Sequence, residues 1–361
     1  MKLYKEITPV IIILLLCSTV FAKELAKNET IIFPSTYGWT DNGEINIYMH
    51  AWVFEMKENS IRRNALIKSL GKFFDAGKEG NKKLFEERLR YFLVDNKGKR
   101  DITVDIMGEK YTLPPTASNG HSNTIIKFRN DLGTNLKNEK INFSTAPSMN
   151  KNPIFSGSFQ IIDEKGYSII SDIDDTIKIS NVLNKSELMK NTFVKKFEPV
   201  EGMAKLYKIF KEKGCAFHYV SGSPWHLYPS INNFIIDEQF PQGSVSLKYF
   251  RLKDKSIIDF ISADQLTYKL NIIKTIFNRF PQRQFILIGD SGEKDPEIYA
   301  ELAAQYKDRV KYIFIRDVGL IDKDSQRRKD LQTKSGNVEV VIFKEAKELE
   351  PYATNLTGDN L

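Results

Sequence analysis

The stretch from Tyr167 to Thr176, Tyr-Ser-Ile-Ile-Ser-Asp-Ile-Asp-Asp-Thr, constrains the fold more than any other part of the chain. Ile169, Ile170 and Ile173 are β-branched and nearly continuous, the pattern of a strand buried on both faces in a parallel sheet. The run ends in Asp172, Asp174 and Asp175, followed by Thr176. In a parallel α/β sheet such carboxylates arrive at the C-terminal edge, where ligands bind. Packing gives no reason to crowd like charges there. At about 4 Å and an effective dielectric near 20, each pair costs roughly 4 kcal/mol. A divalent cation reverses the sign of that cost, so the stretch is read as a metal-assisted carboxylate site.

The 361 residues predict two domains, with enough apolar material for a core in each. The formal charge of +7 is mild and spread along the chain. No nucleic-acid motif accompanies it, so nucleic acid is not an expected partner, and the excess fits solubility and attraction to anionic surfaces. Residues Met1 to Ala22 have the form of a secretory signal. Lys2 and Lys5 give the basic start, Val10 to Leu16 a short apolar core, and Val20-Phe21-Ala22 a cleavage site. An uncleaved anchor is the other reading, although the core is short for a bilayer. Leu16 before Cys17 is too bulky for lipoprotein processing. Export to the periplasm or outside the cell follows as the expected localisation. Only Cys215 would then remain, which excludes an intramolecular disulfide.

From 23 to 165 the chain reads as a β-rich domain. Glu44 to Phe54 alternates polar and apolar residues, and short β-prone runs recur at 92–94, 102–104, 124–128, 141–143 and 155–162. Turn signals such as Asp41-Asn42-Gly43 and Asn119-Gly120 separate them, which predicts a small sandwich or barrel. A helical interruption is expected from Ser60 to Phe74 and on to Arg90. His50 on a strand and His121 in a loop have no metal-ligand spacing, and both are expected to be structural.

From 166 to 349 strands alternate with helices, which predicts a parallel sheet. Strands are expected at 167–172, 216–220, 245–250, 285–288 and 310–315, with a last one at Val338–Phe343, after which the tail 350–361 frays. Ser186 and Asp264 are expected helix N-caps, and Pro296 fits a first helical turn. Three features fall on the same sheet edge as Asp172. Ser221-Gly222 ends the second strand, where a hydroxyl and a backbone N–H can hold a phosphoryl oxygen. Lys269 lies in the first half of the helix before the fourth strand. Gly289-Asp290 ends that strand, with Asp295 five residues on.

Together they predict a phosphoryl-transfer site. Asp172 is the nucleophile, Asp174 the acid and then base, and Lys269 the charge compensator. Thr176, Ser221 and Gly222 bind phosphate oxygens. Asp172, the Asp174 carbonyl, Asp290 and Asp295 serve a Mg²⁺ ion.

The set Asp172–Thr176, Ser221, Lys269 and Gly289-Asp290 with Asp295 resembles the four motifs of haloacid dehalogenase superfamily phosphatases. The segments 171–178, 219–225 and 287–299 are similar, more closely, to the catalytic domain of the actin-patch-associated phosphatidate phosphatase family. The resemblance runs from about Gly166 to Arg316. It implies a Rossmann-like sheet of haloacid dehalogenase type and Mg²⁺-dependent conversion of phosphatidate to diacylglycerol. The short insert between Thr176 and Ser221 leaves no room for a large cap, so an open site for a bulky or membrane-borne phosphate is expected. The expected partners are a phospholipid or another phosphate monoester, with peripheral contact at a membrane surface. A soluble-substrate monoesterase and a non-catalytic binding protein of the cell envelope stand as alternatives. Trp225, His226 and Tyr228 follow the second motif and either line the entrance or belong to the core. Cys215 is expected to be a small core residue.

Overall fold

The computed structural model describes residues 23–41, 43–57, 64–65, 67–68, 71, 79–128, 136, 138–147, 153–250, 266–322 and 325–356. The expected signal segment, most of the helix from Ser60 to Phe74 and the Asp264 cap lie outside them.

The first part of the chain supplies β1 (Glu29–Ile32), β2 (Thr36–Asp41), β3 (Glu44–Glu55), α1 (Glu79–Phe92), β4 (Asp95–Asn96), β5 (Ile102–Ile106), β6 (Glu109–Leu113), β7 (His121–Phe128), β8 (Lys140–Thr145) and β9 (Ser156–Ile162). They form one nine-stranded sheet in the order β1-β3-β2-β9-β8-β5-β6, with β4 and β7 also paired to β3. All pairs are antiparallel except β2 with β9. The sheet packs on one core that includes Ile47, Met49, Ala51, Val53, Val104, Phe143 and Phe159. Two expectations change here. Phe92 ends α1, so 92–94 is no strand, and His121 opens β7 instead of lying in a loop. Moreover β3 is not half-buried: residues 49–54 are buried on both faces. The odd positions 47–53 fill the core just named, and the even positions 48–54 need another partner.

That partner is the second part. Its elements are β10 (Tyr167–Ser171), α2 (Lys185–Phe193), α3 (Met203–Glu212), β11 (Ala216–Pro224), α4 (Tyr228–Asp237), β12 (Ser244–Lys248), α5 (Leu266–Arg279), β13 (Gln284–Asp290), α6 (Asp295–Gln305), β14 (Val310–Arg316), α7 (Gln326–Ser335), β15 (Glu339–Phe343) and α8 (Glu350–Thr354). Six parallel strands run in the order β12-β11-β10-β13-β14-β15. The order reverses between β10 and β13, and a crevice at such a switch point is where doubly wound sheets bind ligands. Alternate residues feed two cores. Ile169, Phe217, Ile286, Ile288 and Phe314 face one, with α2, α3 and α4. Ile170, Phe285, Leu287, Ile313 and Ile315 face the other, with α5, α6 and α7.

Asn184, not Ser186, caps α2: its side chain accepts from the backbone N–H groups of Ser186 and Glu187. The insert between β10 and β11 spends α2 and α3 on covering the sheet, and forms no separate cap. Among the described residues the chain stays ordered after β15, as far as Leu356. Leu349, Ala353 and Leu356 are buried in the first of these cores. No helix among the described residues is long and apolar enough to cross a membrane.

Candidate active site

Asp172 leaves β10 with its N–H donated to the carbonyl of Ile288 on β13, which fixes it at the switch point. It is 1% exposed. Lys269, in the first turn of α5 and equally buried, donates to Asp172 Oδ1 at 2.7 Å, Asp295 Oδ1 at 2.8 Å and Glu293 Oε2 at 2.9 Å. Oxygens of Asp172, Asp290 and Asp295 lie within 4.8 Å of one another. Asp295 comes this close because Gly289 has no side chain: a Cβ there would sit 2.4 Å from Asp295 Oδ2. The neighbouring turn is tied by Asp290 Oδ1, which accepts from the N–H groups of Gly292 and Glu293.

One ammonium thus stands among four carboxylates. Burial first, and then Asp295, Glu293 and Asp290, push the Asp172 carboxyl well above its usual range despite Lys269. Asp290 is pushed well above its range by burial and then by Asp295 and Glu293, and Glu293 is raised mainly by burial. Asp290 Oδ2 is buried and has no hydrogen-bond partner. An unpartnered buried carboxylate oxygen is costly, and a cation satisfies it. Clustered carboxylate oxygens are also the donors that Mg²⁺ takes, so the residues present fit that ion.

Asp174 sits apart from this cluster in a hydroxyl cage. Its Oδ1 accepts from Ser180 Oγ at 2.7 Å and lies 2.8 Å from Lys178 Nζ. Its Oδ2 accepts from Ser221 Oγ at 3.0 Å and Ser223 Oγ at 2.9 Å. Burial alone would raise Asp174, but Lys178, Ser180 and Ser223 together hold it below the usual carboxylate range. Ser221 and Gly222 lie where β11 breaks register against β12, between Val220 and Pro224. The bulge re-aims this segment at Asp174. Thr176 Oγ1 donates to Asp172 Oδ2 at 3.2 Å.

The structure therefore brings Asp172, Asp174, Thr176, Ser221, Gly222, Lys269, Asp290 and Asp295 to one sheet edge. The sequence reading missed four participants. Glu293, Ser180, Ser223 and Lys178 looked like ordinary turn and surface residues. For Ser223 the signal was there, as the next hydroxyl in Ser-Gly-Ser. Asp175 is given no role by the motif reading and proves architectural. With φ at 52°, it accepts from the N–H groups of Ser180, Asn181 and Val182 and folds the loop beneath Asp174. Of the residues after the second motif, His226 belongs to the core: it is buried on Phe92, with ring centroids 4.9 Å apart.

A buried lysine among carboxylates at the switch point stands beside a caged aspartate, and Asp172, Asp290 and Asp295 could hold a cation. Residues 167–317 match the family described as the catalytic domain of phosphatidate phosphatase APP1. Phosphatidate phosphatase APP1 of Saccharomyces cerevisiae is 29% identical over 270 residues, covering 72% of this chain and 45% of that protein. An uncharacterized protein of Schizosaccharomyces pombe is 31% identical over 204 residues, covering 54% of this chain and 31% of that protein. The chain thus spans less than half the length of these curated relatives. Residues 167–317 are similar to a phosphatidate phosphatase catalytic domain.

Proposed function

We propose that the protein is a Mg²⁺-dependent phosphomonoesterase with a Rossmann-like domain of haloacid dehalogenase type, and that it hydrolyses phosphatidate to diacylglycerol and phosphate. The observation that carries this reading is the contact of Lys269 Nζ with Asp172 Oδ1 at 2.7 Å, beside the unpartnered oxygen of Asp290. Asp172 attacks phosphorus through a carboxylate oxygen and forms an aspartyl phosphate as the alcohol leaves. Lys269 holds the attacking carboxylate in place and offsets its charge against that of the phosphate. Thr176, Ser221 and the backbone at Gly222 hold non-bridging oxygens, Ser221 by turning from Asp174 to substrate.

Asp174 protonates the leaving oxygen and later takes the proton from the water that splits the aspartyl phosphate. Its cage holds the ionised form, which suits the second step. A phosphate brought beside it adds negative charge and raises its pKa, which suits the first. Held by Asp172, Asp290 and Asp295, with the Asp174 carbonyl, Mg²⁺ would let an anionic nucleophile meet an anionic phosphate. The absence of a cap between β10 and β11, together with the phosphatidate phosphatase-like domain, supports a bulky lipid ester.

The test is phosphate release with Mg²⁺ on phosphatidate in mixed micelles beside a panel of soluble monoesters, with Asp172→Asn as the blank. Preference for the micellar lipid is the expected outcome. Preference for a soluble ester removes the lipid and keeps the chemistry. Release no faster than the blank on every substrate overturns the reading.

A further inference from the structure

The two faces of β3, the longest described strand of the β-rich region, do different things. On β3 the even positions leave the N-terminal core, yet His50, Trp52 and Phe54 are 2%, 1% and 1% exposed. Phe54 packs on Tyr91 of α1, and part of what covers His50 and Trp52 comes directly after the second motif. The Trp225 ring meets His50 edge-to-face with centroids 4.4 Å apart. The His226 ring meets Trp52 at 5.4 Å. These two residues follow Ser221-Gly222-Ser223-Pro224, whose hydroxyls hold Asp174.

His50 is itself fixed. Its Nε2 shares a hydrogen bond of 2.9 Å with Nδ1 of His121 on β7, one ring donating and the other accepting. His121 lies flat against Trp52, with rings 6° from parallel. Burial keeps His50 neutral, with its pKa pushed down to about 3. Trp225 has no such anchor. Its Nε1 is buried and has no hydrogen-bond partner, and neither has Nδ1 of His226. No side-chain hydrogen bond among the described residues holds the Trp225 indole, and of the rings packed on it His50 of β3 is the nearest, at 4.4 Å.

We infer that the outward face of β3 is a positioning surface for the second-motif loop, with His50 as the contact through which the β-rich region sets Ser221 and Ser223 against Asp174. His50 and Trp225 touch no reacting atom in this arrangement; they act through the loop. Only the activity arm of the test below rests on the phosphatase reading.

The experiment uses the full chain and two variants, His50→Ala and His50→Phe. The phenyl ring keeps the edge-to-face contact and gives up only the bond to His121. Hydrogen exchange over 219–227 is expected to quicken in His50→Ala and to return towards wild type in His50→Phe, with the rest of the molecule unchanged. Turnover of p-nitrophenyl phosphate is expected to fall about tenfold in kcat for His50→Ala, the scale of a small misplacement, with KM held within about twofold. Should His50→Ala fail to fold, Trp225→Phe against Trp225→Leu separates ring from bulk by the same two readouts. Unchanged exchange at 219–227, or exchange quickened evenly across the whole chain, overturns the inference. If the wild type releases no phosphate from this ester or from phosphatidate in micelles, the phosphatase reading fails by itself, and the exchange arm still decides this one.

Discussion

At the scale of single residues, the site is a balance of like charges around Lys269. Asp172→Asn removes the proposed nucleophile and one of the four carboxylates around Lys269 together. Turnover is expected to fall by at least ~10³-fold, as for other nucleophile removals. The metal-free fold should become more stable at neutral pH, because the environment disfavours an ionised Asp172. A melting temperature below wild type in chelator would count against this account of the charges. The same balance gives a pH dependence. Asp172, Asp290 and Glu293 all have folded pKa values above their unfolded ones. Their stabilisation is complete below the unfolded value, near 4, and is lost as pH rises through the folded values. The buried histidines, with lowered pKa values, shift stability the other way and cancel between wild type and Asp172→Asn. In chelator the gain of Asp172→Asn over wild type should therefore be larger at about pH 8 than at about pH 5.5, and Mg²⁺ should raise the wild-type melting temperature more at the higher pH. A gain that shrinks as pH rises would contradict the shifts.

At the scale of elements, the turn between β13 and α6 shows how backbone serves chemistry. Gly289→Ala puts a Cβ 2.4 Å from Asp295 Oδ2, so Asp295 must move off Lys269. Mg²⁺ affinity, read by calorimetry, should weaken by about tenfold or more, the order seen when a metal ligand loses its support. Unaltered affinity would take Asp295 out of the metal shell. Motifs of this kind were legible because each is a buried strand ending in acids. Ile169-Ile170 and Ile286-Leu287-Ile288 are fully buried, and continuous apolar runs announce it. What stayed hidden has physical causes. Glu293 lies in Gly-Glu-Lys, the composition of a solvated turn, and only the fold turns it inward to Lys269. The run 92–94 is β-prone, yet Phe92 ends an amphipathic helix whose Phe85 and Leu89 reach the catalytic core. The alternation in β3 was visible, but not that its second face would meet Trp225 and His226, more than 170 residues away.

At the scale of the whole molecule, the β-rich region and the catalytic domain share cores instead of merely touching. Tyr37 and Trp39 of β2 belong to one core of the parallel sheet, and Phe85, Leu89 and Phe92 of α1 to the other. Arg279 of α5 lies over the rings of Tyr37, Trp39 and Tyr48 at 5.4, 5.1 and 4.7 Å. Arg88 of α1 donates to the carbonyls of Thr192 and Lys195 and stacks 3.7 Å from the Phe197 centroid. The connection from β9 to β10 is held by Arg283, 1% exposed, which donates to Ser168 Oγ and to the carbonyl of Asp163. Separating the parts would uncover Trp52 and Phe92 on one side and Trp225 and His226 on the other, apolar surface of the kind that drives association. Each large ring withdrawn from its partner costs about 1.5–3 kcal/mol, so a few of them amount to a typical domain's whole stability. Two separate domains would melt in two steps. The full chain is expected to melt in one calorimetric transition, with calorimetric and van't Hoff enthalpies equal. A fragment starting at residue 166 is expected to aggregate or to lack near-ultraviolet dichroism. Two resolved transitions, or a soluble and rigid fragment, would show that the shared cores are a contact and not a condition of folding.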